Sequence, residues 1–258
     1  VNGERVGKGR VTYGNGDRYE GDFAGDQRHG KGVFHGPDGY VYDGEWVAGR
    51  IEGNGTVAYP DGAVYSGAFK NNQPDGVGKI TYPDGSTYNG AWVAGVIEGN
   101  GRATYANGQV YEGDFVNAQY HGKGVMSYPD GYRYDGQWKM GQRDGDGTAI
   151  YVDGTTYKGG FVAGERQGKG EMAKPDGFQY VGDWKAGMIE GQGIATYPSG
   201  DIYEGAFVAG KRQGQGVLKY AAGQETAGEW TNGILTGPAS AAPEQTDGEN
   251  PAPAPAGN

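Results

Sequence analysis

A pair of glycines separated by one residue recurs every 23 residues along this chain, starting at Gly7, Gly30, Gly53, Gly76, Gly99, Gly122, Gly145, Gly168, Gly191 and Gly214. A fixed period of this length marks a stacked-repeat architecture, in which each unit buries its apolar side against its neighbours. Ten units without insertion therefore occupy 7–236, preceded by a lead-in, 1–6, and followed by an aperiodic segment, 237–258. Counting the first Gly as position 1, a unit carries Gly at 1 and 3, an apolar residue at 5, and mostly Tyr at 7. Gly at 10, Tyr at 13, Gly at 15 and Phe or Trp at 17 complete it. One unit shows the pattern whole as Gly76, Gly78, Ile80, Tyr82, Gly85, Tyr88, Gly90 and Trp92.

The residues within a unit dictate its local structure. Tyr82-Pro83-Asp84-Gly85 is a turn signal, because Pro presets φ, Asp bonds the backbone ahead and Gly accepts a positive φ. On either side, residue character alternates with period 2, as in paired strands, so each unit is a β-hairpin. Odd positions 1, 3, 5, 7, 13, 15 and 17 share the packed face, and position 5 is apolar in every unit, from Val11 and Phe34 to Ala195 and Leu218. Even positions 14 and 16 carry acids such as Glu20, Asp22, Asp43, Glu45, Glu112 and Asp114, so that face meets water. Glycine weakens a strand unless something needs its bare backbone, and rings at 7, 13 and 17 lying across glycines of adjacent strands supply that need. The expected fold is all-β: an elongated, single-layer, twisted antiparallel sheet of about ten stacked hairpins, or roughly 20 strands.

These residues at this spacing resemble the membrane occupation and recognition nexus (MORN) repeat, over about nine tenths of the chain. Gly36 and Lys174 depart from Tyr at position 7, and Thr226 departs from Tyr at position 13 in the final unit, as a terminal cap would. The resemblance implies a scaffold or adaptor working near a membrane, of a kind that sometimes accompanies a catalytic domain. No such domain fits in the residues left over.

Above the 23-residue period lies a second one. Position 17 alternates strictly as Phe23, Trp46, Phe69, Trp92, Phe115, Trp138, Phe161, Trp184, Phe207 and Trp230. The segments that follow are read as connectors, which tend to be apolar after Trp (Ile51, Val96-Ile97, Met188-Ile189, Ile234-Leu235) and are polar after Phe (Gln27-Arg28-His29, Lys211-Arg212-Gln213). Unequal packing environments and evenly spaced ligand pockets both account for this alternation, with packing favoured because rings that repeat so strictly are usually structural.

Composition removes several classes of function. With 32 acidic against 22 basic residues and a net charge of -10, the chain repels nucleic acid, and no basic cluster stands out along it. It has no Cys, which excludes disulfides and thiolate metal sites. Gly25-Asp26-Gln27-Arg28-His29-Gly30-Lys31 imitates the start of a P-loop, but Gly32 stands where a magnesium-binding Ser or Thr belongs and no helix follows. Turn residues such as Asp61, Asp84 and Asp130 provide one carboxylate per hairpin, too few for Ca²⁺. The acids at 14 and 16 read as a solvated face that blocks aggregation rather than a cation site. His29 and His121 read as solvated loop residues, and an extended sheet scatters its few Ser residues too widely for nucleophilic catalysis. No catalytic residue, metal or cofactor is therefore expected.

What remains is an aromatic face that no other part of the sequence can cover, and exposed apolar strips of such extent mark binding surfaces. The expected partner is a protein or peptide, a helix or extended segment laid in a groove lined by Tyr65, Tyr88, Trp92, Tyr111, Phe115, Tyr134, Trp138 and Tyr157. Two other readings are phospholipid recognition, which lacks a polybasic cluster here, and carbohydrate or cell-wall binding by ring stacking. The tail 237–258, rich in Ala, Pro and acids, is expected to be disordered. A terminal edge strand offers a route to homo-oligomers. Val1 in place of Met suggests a processed or truncated start, which favours an exported or cell-envelope protein over a cytoplasmic one.

Overall fold

A computed structural model of the chain describes residues 3–239, and every regular element among them is a β-strand. The chain divides into two compact units, Val1–Pro175 and Asp176–Asn258. The first holds fifteen strands, from Gly7–Thr12 to Glu165–Ala173, and within it strands consecutive in sequence pair antiparallel. The second holds six, from Gln179–Lys185 to Ile234–Pro238, paired in the same way. The all-β fold of antiparallel hairpins in 23-residue steps is therefore the one observed.

Two kinds of turn alternate along each unit. The first is the one the sequence announces. Between the strands Gln73–Thr81 and Thr87–Val93, the Tyr82 N–H donates to Ser86 O at 2.8 Å and the Gly85 N–H to Tyr82 O at 3.0 Å. Asp84 Oδ1 accepts the Ser86 N–H at 2.8 Å, the local side-chain bond for which Asp suits such a turn.

The second turn is a correction, because what were expected to be connectors are strands. Thr87–Val93 runs into Val96–Thr104 through only Ala94 and Gly95, at φ values of 47° and 84°. Two positive φ values in a two-residue loop match the right-handed twist of the flanking strands. Ala48-Gly49, Asn71-Asn72 and Met140-Gly141 adopt the same geometry. The signal is easily missed, since Ala and Met are poor residues for a left-handed backbone and only their neighbours hold them there.

A second correction concerns position 1. In the strand pair Val64–Lys70 and Gln73–Thr81 the register shifts between Gly67 and Phe69, opposite Gly76, whose φ is 106°. This bulge turns Gly76 away from the packed face: a Cβ built on it would meet Ala68 Cβ, at position 16 on the acidic face, at 3.1 Å. At equivalent bulges the position-16 side chain has a structural task, accepting the N–H that follows the glycine. Asp22 Oδ2 accepts from Lys31 at 3.2 Å and Asp183 Oδ2 from Gln192 at 2.9 Å. Part of the acidic face is thus committed to holding bulges as well as meeting water.

The core is one layer of rings. Each Tyr at position 13 lies over two glycines that face each other across neighbouring strands, such as Gly90 and Gly101 beneath Tyr88. Its hydroxyl donates to the carbonyl three residues on, as from Tyr88 to Ala91 O at 3.0 Å and from Tyr65 to Ala68 O at 2.9 Å. Ring edges then meet ring faces in an unbroken chain through the first unit: Tyr65–Phe69 at 5.1 Å, Tyr65–Trp92 at 5.2 Å, Tyr88–Trp92 at 5.5 Å, Tyr88–Phe115 at 5.1 Å. The second unit repeats it with Tyr180–Trp184, Tyr180–Phe207, Tyr203–Phe207 and Tyr203–Trp230. Each such pair contributes about 0.5–1.5 kcal/mol beyond the area it buries.

The strict Phe/Trp alternation also has structural content. Trp46, Trp92, Trp138 and Trp230 donate their indole Nε1–H to the carbonyls of Gly32, Gly78, Gly124 and Gly216, at 3.0–3.2 Å. Phe cannot make this bond. At the end of the second unit, Pro238 pairs with Gly228, so the last strand runs two residues into the segment expected to lie beyond the repeats. From 240 onward the expected disordered tail falls outside the described residues.

Candidate functional site

The structure brings the eight expected groove residues together, but as core rather than as an open surface. Tyr65, Tyr88, Trp92, Tyr111, Phe115, Tyr134, Trp138 and Tyr157 are between 0% and 7% exposed. The face of each ring is occupied by the edge of the next, and the tyrosine hydroxyls are satisfied by backbone carbonyls. Burial raises the pKa of these phenols, pushing Tyr65, Tyr88, Tyr134 and Tyr157 up to about 12. Removal from water disfavours the phenolate, so the rings stay neutral at any physiological pH.

Whatever meets this face therefore touches what lies over the ladder, and two rows of side chains lie there. One comes from the two-residue turns, which bring the fifth residue after each Phe or Trp back opposite that ring. Phe23 pairs with Arg28, Trp46 with Ile51, Phe69 with Pro74, Trp92 with Ile97, Phe115 with Tyr120, Trp138 with Arg143, and Phe207 with Arg212. The other row is the tyrosines of the five-residue turns, among them the half-buried Tyr59, Tyr105, Tyr128 and Tyr151. Burial again raises Tyr59, helped by the charge of Asp61.

The first row varies in chemistry along the sheet. Tyr120 stacks on Tyr111 at 4.0 Å and bonds the Tyr105 hydroxyl, closing the surface there. At the next repeat the surface opens into a cavity of about 570 Å³ walled by Tyr128, Tyr132, Tyr151, Trp138, Arg143 and Gly164. Arg143 bonds the Tyr132 hydroxyl and donates Nη2 to Gly164 O at 2.6 Å, with its guanidinium 5.3 Å from the Phe161 ring centre. Arg28 and Arg212 sit in the same way on Trp46, at 4.2 Å, and on Trp230, at 4.1 Å. Among the described residues, no three His, Asp or Glu side chains gather into a group able to hold a metal.

Arg28 and Arg212 were legible only as members of polar connectors, and Arg143 not at all. The missing signal is the dipeptide two residues after each position-17 ring, which always holds Gly or Asn, as in Gly25-Asp26, Ala94-Gly95, Asn117-Ala118 and Met140-Gly141. Reading it as a tight turn makes the connector a strand and sets Arg28, Arg143 and Arg212 on the ring face. His29 likewise lies in a strand, its Nδ1 3.5 Å from the Ala48 N–H.

Solved structures to which the chain shows a likeness include the TCP10 domain of CPAP from Danio rerio, at 15% identity and a TM-score of 0.44 over 86% of this chain and 100% of that one. The same domain in complex with a peptide of Danio rerio STIL gives 16% identity and a TM-score of 0.37, over 88% and 98% of the two chains. A comparison with curated protein sequences finds no match. The MORN repeat model matches ten consecutive segments, 1–18, 19–39, 42–64, 65–87, 88–110, 111–131, 134–156, 157–178, 180–202 and 203–225. Most of them open on the tyrosines that lie over the glycine pairs, among them Tyr19, Tyr42, Tyr65, Tyr88 and Tyr111, and the chain belongs to the MORN repeat family.

Proposed function

We propose that this chain is a non-enzymatic scaffold or adaptor that holds a segment of a partner protein against its aromatic face. The observation that carries this reading is the cavity beside Tyr128, Tyr132 and Tyr151, where half-buried aromatic walls lie over a fully packed ring layer. Rigid, partly exposed tyrosines offer apolar area and a hydroxyl at little entropic cost, which suits recognition of a peptide or helix. The ladder below keeps them in place, since displacing one wall ring disturbs packing that runs from strand to strand. Membrane proximity and self-association belong to the same proposal as secondary possibilities, and the net charge of -10 argues against direct attraction to anionic lipid.

The test is a comparative capture from a lysate of the source cells, using the full chain and a Tyr132→Ala/Tyr151→Ala variant whose melting curve matches. Proteins retained by the wild type and lost by the variant support the reading. Identical capture by both chains contradicts it, as does binding confined to vesicles or to a glycan array.

A further inference from the structure

We infer that the segment received by the aromatic face is acidic, and that Arg143 reads its carboxylate at the mouth of the cavity. This inference rests on the binding role proposed above and adds the chemistry of the partner. It starts from a contrast between the two faces of the sheet. Three of the arginines on the acidic face have carboxylates beside them: Arg10 lies 2.7 Å from Glu20, Arg133 2.9 Å from Asp135 and Arg102 4.0 Å from Glu112. Arg28, Arg143 and Arg212, on the ring face, have no carboxylate within 4.0 Å among the described residues, although acids outnumber bases by ten in this chain. A chain so rich in acids that leaves these three guanidiniums without a carboxylate beside them has built, at those places, a surface complementary to an anion.

The local geometry suits a carboxylate. A guanidinium presents five N–H donors, and the bonds of Arg143 to the Tyr132 hydroxyl and to Gly164 O engage two of them. Resting on ring faces, it is already stripped of part of its water, and guanidinium tolerates this better than ammonium because it is more weakly hydrated. A carboxylate can then pair with it at a lower desolvation cost, while a neighbouring apolar side chain of the same segment fills the space between Tyr128 and Tyr151. The carboxylate already lining the cavity does not serve this purpose, because Asp130 Oδ1 accepts the Tyr132 N–H at 2.9 Å within its own turn. Arg28 and Arg212 repeat the arrangement elsewhere, each held by one carbonyl, Gly49 O at 3.3 Å and Gly233 O at 2.6 Å. A protein segment fits better than a lipid surface, since the acidic residues elsewhere on the sheet would be repelled by anionic head groups.

The experiment selects peptides from a displayed random library on the full chain and measures the winners against three proteins: wild type, Arg143→Gln and Arg143→Lys. The expected result is enrichment of Asp and Glu over the input library. Binding should weaken about tenfold or more in Arg143→Gln, recover in part in Arg143→Lys, and fall with added salt. Selected peptides that are neutral or basic, yet are lost in Tyr132→Ala/Tyr151→Ala, overturn the inference and leave the binding role standing. A selection that returns no peptide dependent on this face overturns the binding role itself. Binding unchanged in an Arg143→Gln protein that has lost stability shows that the arginine only fastens the fold, and overturns the inference. Binding of phosphatidylserine vesicles that depends on Arg143, without acidic peptides, assigns the site to lipid and overturns it also.

Discussion

Replacing Gly90 by Ala tests the close approach on which the ring layer rests. A Cβ at this position would lie 2.5 Å from Gly101 Cα, 2.5 Å from the Tyr88 hydroxyl and 2.7 Å from Asn100 O. Two of these neighbours are backbone, so the methyl group can be accommodated only by parting the strands or by lifting the Tyr88 ring. Lifting the ring breaks its 3.0 Å bond to Ala91 O and disturbs its edge contacts with Trp92 and Phe115. The hydrogen bond is worth about 1 kcal/mol, each ring pair about 0.5–1.5 kcal/mol, and overpacking adds about 1–3 kcal/mol. Against this, Ala removes about 0.5–1 kcal/mol of unfolded-chain entropy. The net expectation is a loss of about 3 kcal/mol, or a fall in Tm of roughly 6–12 °C for a chain of this size. Gly14→Ala is the control, since a Cβ there meets nothing within 4 Å and the backbone is not left-handed. Thermal and urea unfolding of the two variants provide the comparison. Equal stability of Gly90→Ala and Gly14→Ala would refute the claim that bare glycines are needed beneath the tyrosines.

Two further expectations follow from the same layer. The tyrosines held at about 12 keep their protons when folded, whereas unfolded tyrosines ionise near 10. Their contribution to stability is therefore complete below about pH 10 and is lost as pH rises towards 12, so phenolate absorbance of the buried set should appear together with loss of near-ultraviolet dichroism. Ionisation of every tyrosine near pH 10 with the fold intact would contradict their burial. Trp92→Phe removes the 3.2 Å indole bond to Gly78 O and some ring volume, and should cost about 1–2 kcal/mol in urea unfolding. Unchanged stability would leave the Phe/Trp alternation without its hydrogen-bonding reason.

The hairpin signals that survive in the sequence are those whose chemistry is local. Tyr-Pro-Asp-Gly names its own turn, and period-2 alternation correctly assigns positions 3, 5, 13, 15 and 17 to one face. What is not legible is set by strain imposed from outside the segment. Ala94 has no intrinsic preference for a φ of 47°, and the paired strands on either side hold it there. The bulge at Gly76 likewise breaks the alternation after one residue, so counting odd and even positions misplaces it. The burial of the candidate site's rings was not legible for a related reason. Tyr88 and Trp92 were correctly grouped with the aromatic face, but a one-layer pattern does not show whether rings stand open or lie edge to face. That depends on hydroxyl and indole donors finding carbonyls such as Ala91 O and Gly78 O on nearby strands. Arg143 became visible only once its segment was seen to be a strand.

The central claim is that the rings marked by the repeat are a sealed core and that recognition belongs to the side chains above them. Hydrogen exchange at the Trp92 indole N–H tests this most directly, because that donor is buried on Gly78 O whether or not a partner is present. The account predicts protection comparable to the central strand amides, released only by local or global unfolding. An indole that exchanges at the rate of a free tryptophan while those amides stay protected would show an open aromatic groove, and would contradict the account.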